Sequence, residues 1–210
     1  MESLNDFLKK VDFDQDTIFS SGDGKLNTYM WDKNGQYVVV GTFNTPLAVD
    51  KFTLPPKTLQ DILSFTSEIS IEDGKLLDYK SLEVNGKINL HEQTGREGAP
   101  KIDFEEADGF LLKSDMITKI LRAQKTYNSQ QLTIKGGEYI RVCGSSDQVG
   151  ANFKLPESKN KAEVNLGPAV YGILEKSSGF DLKVWILNQK PAKFALGTPS
   201  FSVYYYVMNQ

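Results

Sequence analysis

The chain repeats its own plan. Phe52-Thr-Leu-Pro-Pro56, followed by apolar Leu59, Ile62 and Leu63, is matched about 110 residues later by Val164-Asn-Leu-Gly-Pro168, followed by Val170, Ile173 and Leu174. A second parallel sets Thr17-Ile-Phe19 and the segment 25–29 beside Gln131-Leu-Thr-Ile134 and the segment 138–142. Self-similarity at an offset of half the chain constrains the fold more than any single element, because two such units must each bury a like apolar face. The economical organisation is two similar domains, 1–93 and 109–210, with a connector at 94–108 that carries Gly95, Gly98, Pro100 and several charges.

Each half is expected to be mostly strand. Runs rich in Val, Ile, Phe and Tyr predict strands at 17–20, 26–31, 36–43, 47–53, 68–71, 81–91, 131–134, 139–143, 162–166, 181–187, 193–196 and 201–208. Turn signals separate them: Ser21-Gly-Asp-Gly24, Lys33-Asn-Gly35, Glu72-Asp-Gly74, Asn85-Gly86 and Gly136-Gly137. Four segments carry a helical period instead. Their apolar stripes are Leu4, Phe7, Leu8, Val11; then Leu59, Ile62, Leu63; then Met116, Ile117, Ile120, Leu121; and last Val170, Ile173, Leu174. Ser3 is the expected N-cap of the first, Pro56 and Pro168 sit at first-turn positions, and Ser114 is the expected cap of the third, with Asp115 favoured by the helix dipole.

Composition excludes several classes. With 40% apolar and 11% aromatic residues the chain is not a disordered tail. No basic-then-apolar leader follows Met1 and no apolar run approaches the roughly 20 residues of a membrane span, so a cytoplasmic location is expected, the host's if the chain is viral. Cys143 is the only cysteine, which rules out an intrachain disulfide and a cysteine zinc cluster; it reads as a small buried apolar residue. His91 is the only histidine and reads as a surface residue near a strand end. Without a Gly-x-Ser-x-Gly elbow, and with Asp103-Phe-Glu-Glu106 lacking calcium-loop spacing, no catalytic residue, metal site or cofactor is indicated, and the chain does not read as an enzyme.

Net charge is −3, so a polybasic nucleic-acid binder is excluded but a local basic face is not. The third helical segment supplies one: Lys113, Lys119, Arg122 and Lys125 against Asp115 leave it at +3, and the rest of the chain at −6. Lys119, Arg122 and Lys125 recur every three residues opposite the apolar stripe.

Phe110-Leu-Leu-Lys-Ser-Asp-Met-Ile-Thr-Lys-Ile-Leu-Arg122 resembles the first helix of the second domain in DNA sliding clamps, the family of proliferating cell nuclear antigen and the tailed-phage polymerase clamps. Gln131-Leu-Thr-Ile-Lys-Gly-Gly-Glu-Tyr-Ile-Arg141 is similar to the strand, glycine turn and strand that follow there. Phe180-Asp-Leu-Lys-Val-Trp-Ile186, Pro191-Ala-Lys-Phe-Ala195 and Phe201-Ser-Val-Tyr-Tyr-Tyr-Val207 resemble a clamp's last three strands. The resemblance spans nearly the whole chain. It implies an α+β fold of two similar DNA-clamp domains, antiparallel sheets outside and two helices each on the inner face, assembling head to tail into a ring, a homotrimer in the family's trimeric branch.

The implied function is a DNA polymerase processivity factor that encircles double-stranded DNA without reading its sequence, with a DNA polymerase and a clamp loader as partners. A sliding ring needs phosphate contacts and must avoid base contacts, which would create stopping points. The implied DNA-contacting residues are Lys9, Lys10, Lys57, Lys113, Lys119, Arg122, Lys125 and Lys176; Glu2, Asp6 and Asp61, on helices that would line the hole, depart from this pattern. The resemblance also implies a pocket for partner peptides at Met30, Trp31, Pro191, Tyr205 and Tyr206, beside the connector near Ala99 to Phe104. The alternatives are a monomeric DNA-binding factor of the same fold and a β-rich viral structural protein.

Overall fold

The computed structural model describes residues 3–45, 49, 51–64, 66, 68–72, 75–81, 83–92, 99–102, 104, 109–144 and 149–210. Glu2, residues 47, 48 and 50 of one expected strand, and 94–98, 103 and 105–108 of the expected connector lie outside the described residues. The chain forms two compact units, and each borrows a short segment from the other half of the sequence. One comprises Met1–Asp32, Val39–Ala99 and Thr198–Val203; the other comprises Lys33–Val38, Pro100–Gly197 and Tyr204–Gln210.

The first unit opens with α1 (Leu4–Val11), started by a reciprocal capping box. The Ser3 hydroxyl accepts from the Asp6 amide at 3.2 Å, and the Asp6 carboxylate accepts from the Ser3 amide at 3.0 Å. The Ser3 amide, and then the Ser3 hydroxyl that lies 2.9 Å from the same carboxylate oxygen, hold the Asp6 carboxyl below the usual carboxylate range. Strands β1 (Thr17–Gly22), β2 (Lys25–Trp31), β3 (Tyr37–Asn44) and β4 (Phe52–Leu54) follow, in the sheet order β4-β1-β2-β3. The β1–β2 hairpin pairs Gly22 with Lys25, so Ser21 and Gly22 belong to the strand and the turn shrinks to Asp23-Gly24. Both turn residues have positive φ, 51° and 70°, the mirror-image turn whose twist matches paired strands. Helix α2 (Pro56–Leu63) packs on α1, and β5 (Glu68–Glu72), β6 (Leu76–Lys80) and β7 (Asn85–Asn89) form a separate antiparallel sheet. Phe7, Leu8, Phe19, Leu26, Leu54 and Leu59 are fully buried, each removed from water at a gain of about 1.5–3 kcal/mol.

The second unit follows a like plan. It contains β8 (Phe110–Leu112), α3 (Ser114–Tyr127), β9 (Gln131–Lys135), β10 (Tyr139–Cys143), β11 (Gly150–Lys154), β12 (Glu163–Leu166), α4 (Ala169–Lys176), β13 (Leu182–Trp185) and β14 (Ala192–Gly197), with part of β15 (Phe201–Val207). One sheet runs β11-β10-β9-β12; another stretch runs β15-β14-β13-β8. Helix α3 packs on β10, β11 and α4, and its Ile117 and Ile120, like Val142 of β10 and Val170 and Ile173 of α4, are fully buried.

Several expectations need correction. Leu76–Lys80 and Gly150–Lys154 are strands that apolar patterning did not reveal, since Gly150–Lys154 buries no residue fully and Leu76–Lys80 buries only Leu77. The expected strand 81–91 is only Asn85–Asn89, and Asn85-Gly86 lies inside it rather than in a turn. Ser114 does not cap α3: Lys113 is the N-cap, and no side chain of its own closes the helix start. Cys143 is half-buried rather than buried.

Candidate nucleic-acid interface

Helix α3 turns an apolar side inward and a basic side outward. Ile117, Ile120 and Ala123 are buried; Thr118, Lys119, Arg122, Lys125 and Thr126 are exposed. Met116 and Leu121, expected in the buried stripe, are only half-buried, and small Ala123 completes the stripe instead. Steps of three residues turn a helix by roughly 300°, so Lys119, Arg122 and Lys125 fan across roughly 120° of its surface and roughly 9 Å of its length. A duplex presents about five phosphate charges in that distance.

Ion pairing divides these cations. Lys119 Nζ lies 3.2 Å from Asp115 one turn earlier, and Lys125 Nζ lies 3.9 Å from Glu175 on α4. Arg122 has no ion-pair partner among the described residues, so its guanidinium is available to a phosphate as a bidentate donor. Lys176 is half-buried in the last turn of α4, the helix that packs on α3. Over α3 and α4 together, Lys119, Arg122, Lys125 and Lys176 outnumber Asp115 and Glu175, leaving a net +2.

Lys113 has a different role. Its Nζ lies 2.9 Å from Asp181, whose other oxygen accepts from the Ser114 amide at 2.9 Å. Asp181, just ahead of β13, therefore supplies from a distance the cap that α3 lacks. The Lys113 ammonium and the Ser114 amide hold the Asp181 carboxyl below the usual carboxylate range. A carboxyl depressed on folding adds stability above its unfolded value, near pH 4, and that contribution fades as pH falls through the depressed value. Asp181→Ala is thus expected to speed amide hydrogen exchange in the first turn of α3 at neutral pH, and the wild-type turn should match the variant at the same pH only once the pH has fallen through the depressed value, below about 4. Unchanged exchange at Ser114–Met116 at neutral pH would show that Asp181 caps nothing.

In the first unit Lys9 is exposed and Lys10 half-buried in the last turn of α1, and Lys57 is exposed in the first turn of α2. Asp6 and Asp61 sit on the same two helices and reduce their net charge to +1.

The residues expected in a partner pocket are unequal. Met30 is 2% exposed and Tyr205 0%, so neither offers surface to a peptide; Tyr206 is 6% exposed, while Trp31 and Pro191 are half-buried. Burial pushes the Tyr205 hydroxyl far above the usual phenol range, as fits a core residue. The Trp31 indole N–H is buried without an acceptor among the described residues. His91 is exposed, with Nδ1 2.7 Å from Asp16. Among the described residues no three His, Cys, Asp or Glu side chains gather where a metal could bind, and no helix is long and apolar enough to cross a membrane.

Antiparallel sheets with a pair of packed helices in each of two units make this the α+β fold of the DNA sliding clamps. Three solved structures carry the likeness. A. fulgidus PCNA, in a structure with the C-terminal region of FEN-1 bound, matches at a TM-score of 0.74 and 15% identity over 99% of this chain and 94% of that one. Entamoeba histolytica PCNA matches at 0.73 and 14% over 98% and 96%, and PCNA from Thermococcus kodakaraensis at 0.73 and 12% over 100% and 98%. No protein-family model matches the sequence, and no curated protein does.

Proposed function

We propose that this chain is one subunit of a DNA sliding clamp, a non-enzymatic processivity factor that encircles duplex DNA and tethers a polymerase to it. The observation that carries the reading is α3: on a clamp fold, an acidic chain exposes Lys119, Arg122 and Lys125 on the helix side opposite its buried residues. Such a face suits sequence-independent phosphate contact, because α3 is net positive while the rest of the chain is net negative.

In this reading 1–93 and 109–210 are the two clamp domains, joined by 94–108, and three subunits close a ring with helices toward the DNA. A closed ring needs a loader to open it, and a polymerase docks on its surface. Arg122 is the foremost phosphate contact, with Lys119, Lys125 and Lys176 beside it and Lys9, Lys10 and Lys57 as weaker contacts. Lys113, occupied by Asp181, contributes least. Of the residues proposed for partner docking, Trp31 and Pro191 keep surface to offer.

The test is topological. Protein loaded on nicked circular DNA should stay bound through a salt wash and be lost when the circle is linearised, and its solution mass should be three times the 23.5 kDa subunit. A 23.5 kDa monomer that dissociates equally from circular and linear DNA would instead support the non-encircling factor.

A further inference from the structure

The basic face of α3 carries its own competitors for phosphate. Lys119 Nζ donates to a carboxylate oxygen of Asp115 at 3.2 Å, and Lys125 Nζ lies 3.9 Å from a carboxylate oxygen of Glu175. Asp115 sits one turn before Lys119 on the same helix, while Glu175 belongs to α4, which packs on α3. All four side chains stay more than half exposed, 63% and 70% for Lys119 and Asp115, 73% and 57% for Lys125 and Glu175. Water reaches each pair from outside, and so can a phosphate.

Lys113 shows the contrast at the start of the same helix. Its partner Asp181 also accepts from the Ser114 amide, each bond 2.9 Å long, so that carboxylate is fixed and keeps its lysine. Asp115 and Glu175 hold theirs by exposed contacts, which are worth little in water and release readily. A phosphate arriving at Lys119 or Lys125 replaces one oxyanion by another, so each contact adds less to the grip than a lysine without a partner would add. When that phosphate moves on, the carboxylate takes the ammonium back, and the lysine crosses to the next phosphate without standing uncompensated between them.

We propose that Asp115 and Glu175 are exchange partners of the DNA-facing lysines, positioning residues that hold duplex affinity low and keep the basic face mobile along the phosphate backbone. The inference rests on the reading that α3 faces duplex DNA, and it adds the residues that regulate that contact. Asp115 also complements the positive end of the α3 dipole, and any carboxylate near a duplex repels it. Neither of those effects passes through a particular lysine, so a double-mutant cycle separates them from exchange.

Anisotropy titration of a short labelled duplex with the full chain at low salt reads the effect. Asp115→Asn should tighten binding about threefold and Glu175→Gln about twofold, the range that an exposed ion pair covers. With Lys119→Ala already in place most of the gain from Asp115→Asn should disappear, and Lys125→Ala should likewise remove most of the gain from Glu175→Gln. On stretched duplex DNA the variant carrying both Asp115→Asn and Glu175→Gln should diffuse about twofold or more slower than the wild type. Gains that persist undiminished without the partner lysine, unchanged affinity in both single variants, or tighter binding with undiminished diffusion would each overturn the proposal. Arg122→Glu distinguishes that failure from a failure of the DNA-facing role. If it weakens duplex binding while the two carboxylate variants change nothing, α3 still faces DNA and only the exchange is lost; if it too changes nothing, both fall together.

Discussion

Reversing the charge at Lys119, Arg122 and Lys125 together should lower affinity for duplex DNA by about a hundredfold or more at low salt, and flatten the slope of log affinity against log salt by about 2.7. The slope follows from counterion release, about 0.9 per phosphate contact, and three contacts are removed. Arg122→Glu should have the largest single effect, because among the described residues no carboxylate pairs with that guanidinium. Lys119 and Lys125 must first give up Asp115 and Glu175. All three side chains are exposed on a helix held by Ile117, Ile120 and Ala123, so the melting temperature should move by no more than a few degrees. Undiminished retention of the triple variant on circular DNA would reject α3 as the DNA-facing helix.

Phe7→Ala should destabilise the first unit by about 3–5 kcal/mol, the loss expected when a buried ring leaves a cavity. Phe7 is fully buried, with its ring centroid 5.6 Å from Phe43 and 5.7 Å from Phe201. Beneath it lies Gly41 of β3. A Cβ at that position would stand 2.8 Å from the Phe7 ring and 2.7 Å from the Thr28 hydroxyl oxygen, closer than atoms tolerate. Gly41→Ala should therefore be destabilising alone, by about 1–3 kcal/mol of overpacking. Combined with Phe7→Ala, part of that cost should vanish, because the new methyl would enter the space the ring has left. Denaturant unfolding of the two single variants and the double closes the cycle. Strict additivity would mean that the ring and the glycine do not pack on one another.

Local chemistry was the most legible part of the sequence. The Ser3 N-cap, the Pro56 helix start and a turn ending at Gly24 depend on residues a few positions apart, and their spacing announces them, while the reciprocal Asp6 bond and the two-residue length of the turn came from the structure. The outward basic stripe of α3 was readable for the same reason, since helical periodicity alone separates Lys119, Arg122 and Lys125 from Ile117 and Ile120. Strands lacking that contrast escaped: Gly150–Lys154 buries no residue fully, so only its pairing with β10 defines it.

Long-range contact decided the rest. The α3 start is completed by Asp181, 67 residues from Ser114, which no local motif could signal. In the Tyr204-Tyr-Tyr206 run, the sequence shows three alike residues, yet the fold puts Tyr205 in the core and Tyr204 beside Lys193. Residue type and near-neighbour spacing determined which segments become helices, hairpins and cationic faces, because those preferences act within a few bonds. Only tertiary packing decided which charges are paired and which rings meet a cation, because Coulomb attraction, burial and ring contacts depend on distance in space, and strand pairing brings residues together that the chain keeps far apart.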